Sequence, residues 1–205
     1  MKIFLETERL ILRNLIRDDV DELVKLDSDP QVMRLINGGI ATSRQTILNE
    51  FLPYTMSYDE SENLGFWAIV ERQSQEFLGW IFLRPEVDFK LLQQLALAEP
   101  DAIELGYRLR QLSWNQGYTT EVAQALIDKS FTKSNTAKIV AWALTENKAS
   151  TRVMEKIGLR FQQQYIATAD TLPANLLENS LVQNLLGRPL VKYQLDKLVW
   201  QARHS

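Results

Sequence analysis

The sequence predicts a single α/β or α+β domain built on a mixed β-sheet. Apolar runs rich in β-branched and aromatic residues alternate with segments of helical periodicity along the chain. The 205 residues, of which 45% are hydrophobic, are enough for one well-buried core and few for two. The sequence has no internal repeat, low-complexity tract or linker. We therefore expect one domain over residues 1–205.

The N-terminal quarter predicts a strand followed by two helices. Residues 10–13 are expected to form the strand and residues 18–27 the first helix, whose leading aspartates complement the helix dipole. Residues 28–39 are expected to be a loop. Ser43 is a suitable N-cap for the second helix, which Pro53 should limit or kink.

The middle of the chain predicts an antiparallel hairpin. Residues 66–70 and 77–83 are apolar and aromatic-rich, a polar segment joins them, and Pro85 should end the second strand. Residues 84–101 carry several leucines and fit a short helix or an extended hairpin arm, and a dimer contact is a further option. A homodimer is therefore one option.

The rest of the chain continues the alternation of strands and helices. Its expected strands are residues 103–109, 137–144, 159–166 and 189–195, and its expected helices are residues 120–131 and 147–157. Residues 168–186 have few strand formers and a helical apolar pattern. The strand aromatics are expected in the core, namely Trp67, Trp80, Phe82 and Trp142.

Charge and hydropathy exclude several function classes. The net charge is -3 and no run of Lys and Arg stands out, which argues against a nucleic-acid partner. No window of about eighteen apolar residues exists to span a membrane, and residues 1–5 are too short an apolar run for a signal peptide. We expect a soluble, cytoplasmic protein with no membrane partner.

The residue types present restrict the chemistry. The chain has no cysteine, which removes thiol nucleophiles, disulfides and cysteine metal sites. Its one histidine, His204, lies beside the C-terminus, so neither a Ser-His-Asp triad nor a histidine zinc site is expected. We expect no metal, and chemistry by carboxylates, hydroxyls, lysines or backbone groups.

Residues 114–120 lie between a predicted strand and a predicted helix. Unpaired backbone N–H groups and the positive end of the helix dipole converge at such a place and suit an anion such as a pyrophosphate. Gly117 permits close approach of the backbone, and Thr119 and Thr120 add hydroxyl donors. An ordinary tight turn with a threonine N-cap explains the same residues. The segment is neither a Walker loop nor a dinucleotide-binding GxGxxG.

Three segments together resemble the GNAT acetyltransferase superfamily. They are residues 104–109 (ELGYRL), residues 114–120 (WNQGYTT) and residues 147–159 (NKASTRVMEKIGL). Residues 5–13 (LETERLILR) are also similar to the first strand of one branch, the ribosomal-protein N-terminal alanine acetyltransferase-like proteins. The resemblance runs from about residue 5 to residue 161, and residues 168–186 form an insertion atypical of the family.

The resemblance implies a GNAT-like fold, with a mixed, mostly antiparallel and splayed sheet flanked by helices, and acetyl-CoA as the acetyl donor. Pantetheine would pair with the backbone of β-strand residues Tyr107, Arg108 and Leu109, much as an added strand pairs. The pyrophosphate would be bound by backbone amides of Asn115, Gln116, Gly117, Tyr118, Thr119 and Thr120. Asn115 stands where the branch usually has glycine.

The resemblance also implies direct acetyl transfer to a primary amine. Glu104 would take the proton of the amine, although a solvated charge at the end of a strand is the simpler interpretation. Asn147 is most simply an N-cap with Ser150 in the same capping arrangement, and the family adds a pantetheine bond for Asn147 and a proton donated by Ser150 to the departing sulfur. Many members use a tyrosine for that proton where this chain has Met154. Trp114 either lines the cofactor groove or anchors the following helix.

The acceptor is expected to be a protein N-terminus or a small amine. Specificity would come from the irregular segments, residues 33–39, 43–58, 84–101 and 168–186, the last of which we expect to reshape or cover the acceptor groove. The alternative function is a non-catalytic acyl-CoA-binding or sensing module of the same fold, which Met154 in place of tyrosine leaves open.

Overall fold

The apolar runs of the sequence form the strands of a mixed, mostly antiparallel sheet. A computed structural model describes residues 2–58, 61–172 and 176–204. Its strands are β1 (Ile3–Glu6), β2 (Leu10–Asn14), β3 (Gly65–Glu71), β4 (Phe77–Pro85), β5 (Ala102–Leu109), β6 (Lys138–Leu144), β7 (Arg160–Ile166) and β8 (Pro189–Asp196). Their order is β1-β2-β3-β4-β5-β6-β8-β7, with β5 and β6 parallel. The expected mixed, mostly antiparallel sheet is confirmed.

The described chain divides into two compact units, and β5 runs from one into the other. The first unit is Met1–Leu83 with Gly106–Asp128, and the second is Arg84–Leu105 with Lys129–Ser205. The single-domain organisation over residues 1–205 stays a prediction.

The core of the first unit is one apolar cluster beneath β2, β3 and β4. Buried side chains of this cluster include Ile11, Leu15, Leu23, Ile47, Leu52, Phe66, Trp80 and Phe82. The predicted hairpin is present as β3 and β4, which pair antiparallel with Trp67 opposite Ile81. Apolar and aromatic side chains on a pleated strand pack well against such a core, which is why these runs become strands.

Strands β4 and β5 approach so closely that one position requires glycine. The Arg110 N–H donates to the Leu78 carbonyl at 2.8 Å. A Cβ on Gly79 would collide with the Arg108 carbonyl oxygen, and Gly79 has φ 152°. Gly79 therefore allows β5 to lie against β4 where β5 carries the residues expected to pair with pantetheine.

The expected loop over residues 28–39 is wrong, because most of it is helical. Helix α1 (Val20–Ser28) is followed at once by α2 (Pro30–Asn37). Asp29 accepts a hydrogen bond from the Gln31 N–H at 2.8 Å, Pro30 occupies the first turn, and Gly38 ends the helix at φ 82°. These are the usual start and stop residues of a helix, and they outweigh the shortness of the segment.

The helix expected after Ser43 is confirmed, and it continues past Pro53. Ser43 Oγ accepts from the Thr46 N–H at 3.0 Å at the start of α3 (Arg44–Thr46). A π-helical turn over Ile47–Phe51 then leads into α4 (Leu52–Met56). The Leu52 N–H reaches back to the Ile47 carbonyl, so the wider turn comes just before Pro53, which has no N–H to donate.

In the second unit, β8 lies between β6 and β7 and pairs antiparallel with both. Residues 84–101 adopt the short-helix option, with a 3₁₀ turn at Glu86–Asp88 and α5 (Lys90–Gln94). Leu91 and Leu92 are buried there. The remaining helices described are α6 (Tyr118–Lys133), which begins in the first unit, α7 (Lys148–Lys156), α8 (Ser180–Leu185) and α9 (Lys197–His204).

Of the described residues within 168–186, those near the end form the predicted helix, as α8. Residues 168–172 form a turn in which Thr171 Oγ1 accepts from the Thr168 N–H at 3.0 Å. Residues 173–175 lie outside the described residues. Asn179 then caps α8 by accepting from the Leu181 N–H at 2.9 Å.

The C-terminal helix α9 was not expected, and His204 belongs to it. Its Nδ1 lies 2.8 Å from the Trp200 carbonyl. Among the described helices, none is long and apolar enough to cross a membrane.

Candidate functional site

The turn that we expect to bind an anion lies in the first unit. A 3₁₀ turn at Gln111–Ser113 leads to Asn115 and Gly117, which have φ 60° and 80°, and α6 begins at Tyr118. Asparagine tolerates the left-handed region better than most residues, which explains why Asn115 can stand where glycine is usual.

The first turn of α6 presents backbone donors without intrahelical acceptors. The Glu121 N–H bonds the Gly117 carbonyl at 3.0 Å, so the N–H groups of Tyr118, Thr119 and Thr120 precede the helical hydrogen-bond ladder. A sixteen-residue helix directs the positive end of its dipole to the same place. The turn is therefore chemically suited to a pyrophosphate.

Arg9, immediately before β2, connects this turn to the rest of the first unit. Its Nη1 donates to the Gln116 carbonyl at 3.0 Å and its Nε to Glu121 Oε2 at 2.7 Å. Thr7 Oγ1 donates to the other oxygen of Glu121 at 2.6 Å. Sequence reasoning missed these three side chains, although the ETERL segment that contains Thr7 and Arg9 was part of the resemblance.

The Glu121 carboxylate is held in its ionised form. Burial works to raise its pKa, but hydrogen bonds from Thr7 and from the backbone and side chain of Arg9 outweigh burial and lower it. The Arg9 guanidinium also lies over the Tyr118 ring, 4.6 Å from its centroid. The Tyr118 hydroxyl donates to Glu71 at 2.7 Å, and this bond raises the pKa of Tyr118. Tyr118 is thus fixed at both its ring and its hydroxyl.

The strand residues expected to meet pantetheine lie at the end of β5, also in the first unit. The Leu109 carbonyl accepts from Trp114 Nε1 at 2.9 Å, so Trp114 anchors the strand end. The Arg108 side chain pairs with Asp27 and lies over the Trp80 ring, 5.0 Å from its centroid. The Arg108 side chain is therefore turned toward α1. Its backbone lies in β5 between those of Tyr107 and Leu109.

Glu104 lies in the second unit and is buried, with 6% of its surface exposed. The interpretation as a solvated strand-end charge is therefore wrong. Arg84 donates to it through Nε at 2.8 Å, and Arg84 Nη2 lies 2.7 Å from the same oxygen, Oε2. Burial raises the pKa of Glu104, while the charge and hydrogen bond of Arg84 work in the opposite direction. A buried carboxyl whose pKa is raised accepts a proton more readily than an exposed glutamate does.

A second carboxylate beside Arg84 in the sequence, Glu86, is fully buried and fully engaged. It accepts from Lys192 Nζ at 2.9 Å, from Trp142 Nε1 at 2.6 Å and from the Glu99 N–H at 2.8 Å. Trp142, expected as a core residue, is half-buried and serves this polar cluster instead. With these three donors around it, Glu86 holds the 84–101 segment in place.

Asn147 and Ser150 stand at the start of α7 in the second unit. Asn147 Oδ1 accepts from the Ser150 N–H at 3.1 Å, which confirms the N-cap, and leaves the amide Nδ2 for another partner. Ser150 is half-buried. Met154, one turn on, is 1% exposed and has no proton to donate.

The predicted site residues thus divide between the units. The first unit holds Tyr107, Arg108, Leu109 and residues 115–120, and the second holds Glu104, Asn147 and Ser150. Their roles stay predictions. Over residues 2–58, 61–172 and 176–204, no group of three or more acidic or histidine side chains is placed to hold a metal ion.

Comparisons with known proteins give the family. The profile of the acetyltransferase (GNAT) domain matches residues 9–160. A relative named FsC-acetyl coenzyme A-N(2)-transacetylase, from Aspergillus fumigatus, is 27% identical over 196 residues, covering 96% of this chain and 77% of that protein.

Solved structures show the same fold. A GNAT-family acetyltransferase from Bacillus anthracis has a TM-score of 0.72 at 20% identity, covering 95% of this chain and 98% of its own. RimL, a ribosomal alpha-N-protein acetyltransferase in complex with coenzyme A, has a TM-score of 0.70 at 15% identity, with coverage of 95% and 98%. Since the family profile spans well over half of the sequence, the chain belongs to the GNAT family of N-acetyltransferases.

Proposed function

We propose that this protein transfers the acetyl group of acetyl-CoA directly to a primary amine. The amine nitrogen attacks the thioester carbonyl, the carbon–sulfur bond breaks, and the amine proton is taken up by a base. No covalent enzyme intermediate is needed, which suits a chain without cysteine. The family membership and the coenzyme A bound to RimL support the choice of donor.

The observation that carries the proposal is the environment of Glu104. Arg84 lies against this buried carboxyl, with Nε 2.8 Å and Nη2 2.7 Å from Oε2. Burial raises the pKa of the carboxyl, which makes it a better proton acceptor than an exposed glutamate. In our proposal Glu104 takes the amine proton directly or through water.

The cofactor contacts follow from the two backbone segments of the first unit. The pyrophosphate is proposed to bind the amides of Asn115, Gln116, Gly117, Tyr118, Thr119 and Thr120 at the start of α6. Pantetheine is proposed to pair with the backbone of Tyr107, Arg108 and Leu109. Asn147 is proposed to add a bond to pantetheine through its amide, and Ser150 to protonate the departing sulfur.

The acceptor is proposed to be either a protein N-terminus or a small amine. RimL is named as an alpha-N-protein acetyltransferase, which supports the first class, and the Aspergillus relative is named as an N(2)-transacetylase, which supports a nitrogen acceptor. Residues 33–39, 43–58, 84–101 and 168–186 are the segments from which we expect specificity.

Two measurements, made one after the other, test the proposal. Titration calorimetry with CoA should give heat, and its absence would remove the proposed cofactor. Release of free thiol from acetyl-CoA should then rise above the amine-free rate with at least one member of a panel of N-terminal peptides, polyamines and aminoglycosides. CoA binding without amine-dependent thiol release would contradict the proposed transfer.

A further inference from the structure

We propose that Arg9 is a positioning residue that orients the Gln116–Gly117 peptide for the pyrophosphate of the cofactor. The inference rests on the proposed function, because it assigns a role to a side chain that the transfer reaction itself does not use. It concerns only contacts within the first unit.

Each nitrogen of the Arg9 guanidinium has an assigned partner. Nε and Nη2 lie 2.7 and 2.6 Å from Glu121 Oε2, and Nη1 donates to the Gln116 carbonyl at 3.0 Å. The side chain is 43% exposed, yet these three contacts and the Tyr118 ring beneath it fix its position. A planar guanidinium presents its donors in a rigid fork and fixes the relative geometry of the carboxylate and the carbonyl, whereas a lysine ammonium is a point charge on a flexible stem.

The bond to Gln116 determines where the next N–H points. The chain has no cis peptide bond among its described residues, so the Gln116 carbonyl and the Gly117 N–H point in opposite directions across one planar peptide. Because the carbonyl faces Arg9, the Gly117 N–H faces away from it.

The peptide needs such a constraint because its surroundings are permissive. Gly117 has φ 80° and Asn115 has φ 60°, and a glycine without Cβ offers little resistance to rotation of the preceding peptide. Arg9 selects one orientation, so the turn does not lose as much entropy when it binds the anion.

The ion pair also neutralises a carboxylate that would oppose anion binding. Glu121 lies in the first turn of α6, close to the N–H groups proposed to bind pyrophosphate. Hydrogen bonds from Thr7 and Arg9 lower the pKa of Glu121, so its negative charge is present at neutral pH. With its charge matched by Glu121, Arg9 acts through the peptide and not as a cation on the phosphate.

The test compares two acetyl donors on the same enzyme preparation. S-acetyl-pantetheine lacks the pyrophosphate, so its kcat/KM should be insensitive to Arg9. For Arg9→Ala we expect the KM for acetyl-CoA to rise about tenfold with kcat changed less than about twofold, the loss expected for one charge-assisted hydrogen bond. Because both donors are measured on one sample, unfolded protein lowers both rates alike.

Two further variants make the outcomes distinct. Arg9→Lys keeps the positive charge but not the planar guanidinium, so its KM for acetyl-CoA should stay close to that of Arg9→Ala. Recovery to the wild-type KM would show a simple charge effect and overturn the proposal. Arg72→Ala removes another exposed arginine of the first unit and should leave both donors unaffected.

An equal loss with both donors, or an unchanged KM for acetyl-CoA, would also overturn the role of Arg9. If Arg9→Ala does not fold, Arg9→Lys is measured with both donors in its place. Failure of the wild-type protein to bind CoA would instead contradict the proposed function, so the two failures are distinguishable.

Discussion

At the scale of single residues, Glu104 combines two opposed influences on one carboxyl group. Burial favours its protonated form, and the adjacent Arg84 favours its ionised form. The outcome is a raised pKa, so the carboxylate fraction falls at a higher pH than for an exposed glutamate. A base of this kind is effective only above its own pKa. The reaction rate should therefore fall as the pH drops through the pKa of Glu104.

Replacing Glu104 by glutamine should lower kcat most strongly at pH values above the pKa of Glu104 and below the pKa of the acceptor amine. There the acceptor is mostly protonated and depends on the enzyme to remove its proton, and the loss should be about 10²-fold. With an α-amino acceptor, the loss should narrow as the pH approaches about 8, the pKa of the amine. Rates of thiol release across the pH range measure this. Glu155→Gln, an exposed carboxylate of the second unit, is the control, and a pH-independent ratio would count against Glu104 as the base.

Replacing Arg84 by methionine should shift the acidic limb of kcat/KM to higher pH. Without the guanidinium, burial acts unopposed and the pKa of Glu104 rises further, so less carboxylate is present at a given acidic pH. We expect a shift of at least about one pH unit, the usual effect of removing a close opposite charge. Arg84→Lys keeps the charge and should shift the limb less. Superimposable wild-type and Arg84→Met profiles would show that Arg84 does not tune this group.

At the scale of elements, the strands were predictable and several helices were not. Strands β3 and β4 follow from runs such as residues 66–70, because burial on both faces requires nearly continuous apolar sequence. Helix α2 has a typical first-turn residue, Pro30, and a typical C-cap residue, Gly38. It was not predicted because the segment between them is short. The π-turn before Pro53 has no sequence signature of its own, since it depends on how the helix packs.

Asn147 is the element-scale test, because it has a structural role and a proposed cofactor role. Asn147→Ala should lower the free energy of unfolding by about 1 kcal/mol through loss of the α7 cap. Asn147→Ser restores a capping oxygen but has no amide to donate, so urea denaturation should show recovered stability while the KM for acetyl-CoA stays raised. If serine restores both, the amide of Asn147 is not required for cofactor binding.

At the scale of the whole molecule, long-range charge pairs are what sequence reasoning could not find. Arg9 meets Glu121 across 112 positions, and Arg84 meets Glu104 across 20. Periodicity and capping describe neighbours within a helix or strand, so they carry no information about such partners. The motifs located the anion turn and the carboxyl, whereas the residues that hold them were visible only in the fold. The homodimer considered for residues 84–101 stays a prediction.

The second unit contains the most deeply buried of these charges. Lys192 is fully buried on β8, where an apolar side chain would be usual, and it bonds Glu86 at 2.9 Å and Glu99 at 2.6 Å. Burying a charged side chain costs free energy. Removing Lys192 alone costs more, because its carboxylate partner is then buried without a cation.

Lys192→Met should therefore destabilise the protein by about 3–5 kcal/mol, because Glu86 is left buried without its cation. Adding Glu86→Gln removes that stranded charge, and the one glutamine oxygen can still accept from either Trp142 or the Glu99 N–H, so the double variant should be more stable than Lys192→Met alone. Urea denaturation of the four proteins of this cycle gives the coupling energy. Lys156→Met, on the exposed face of α7, should change stability by less than about 0.5 kcal/mol. A double variant that loses the sum of the two single losses would mean that the buried pair is not coupled, and that the 84–101 segment is held by its apolar contacts through Leu91 and Leu92.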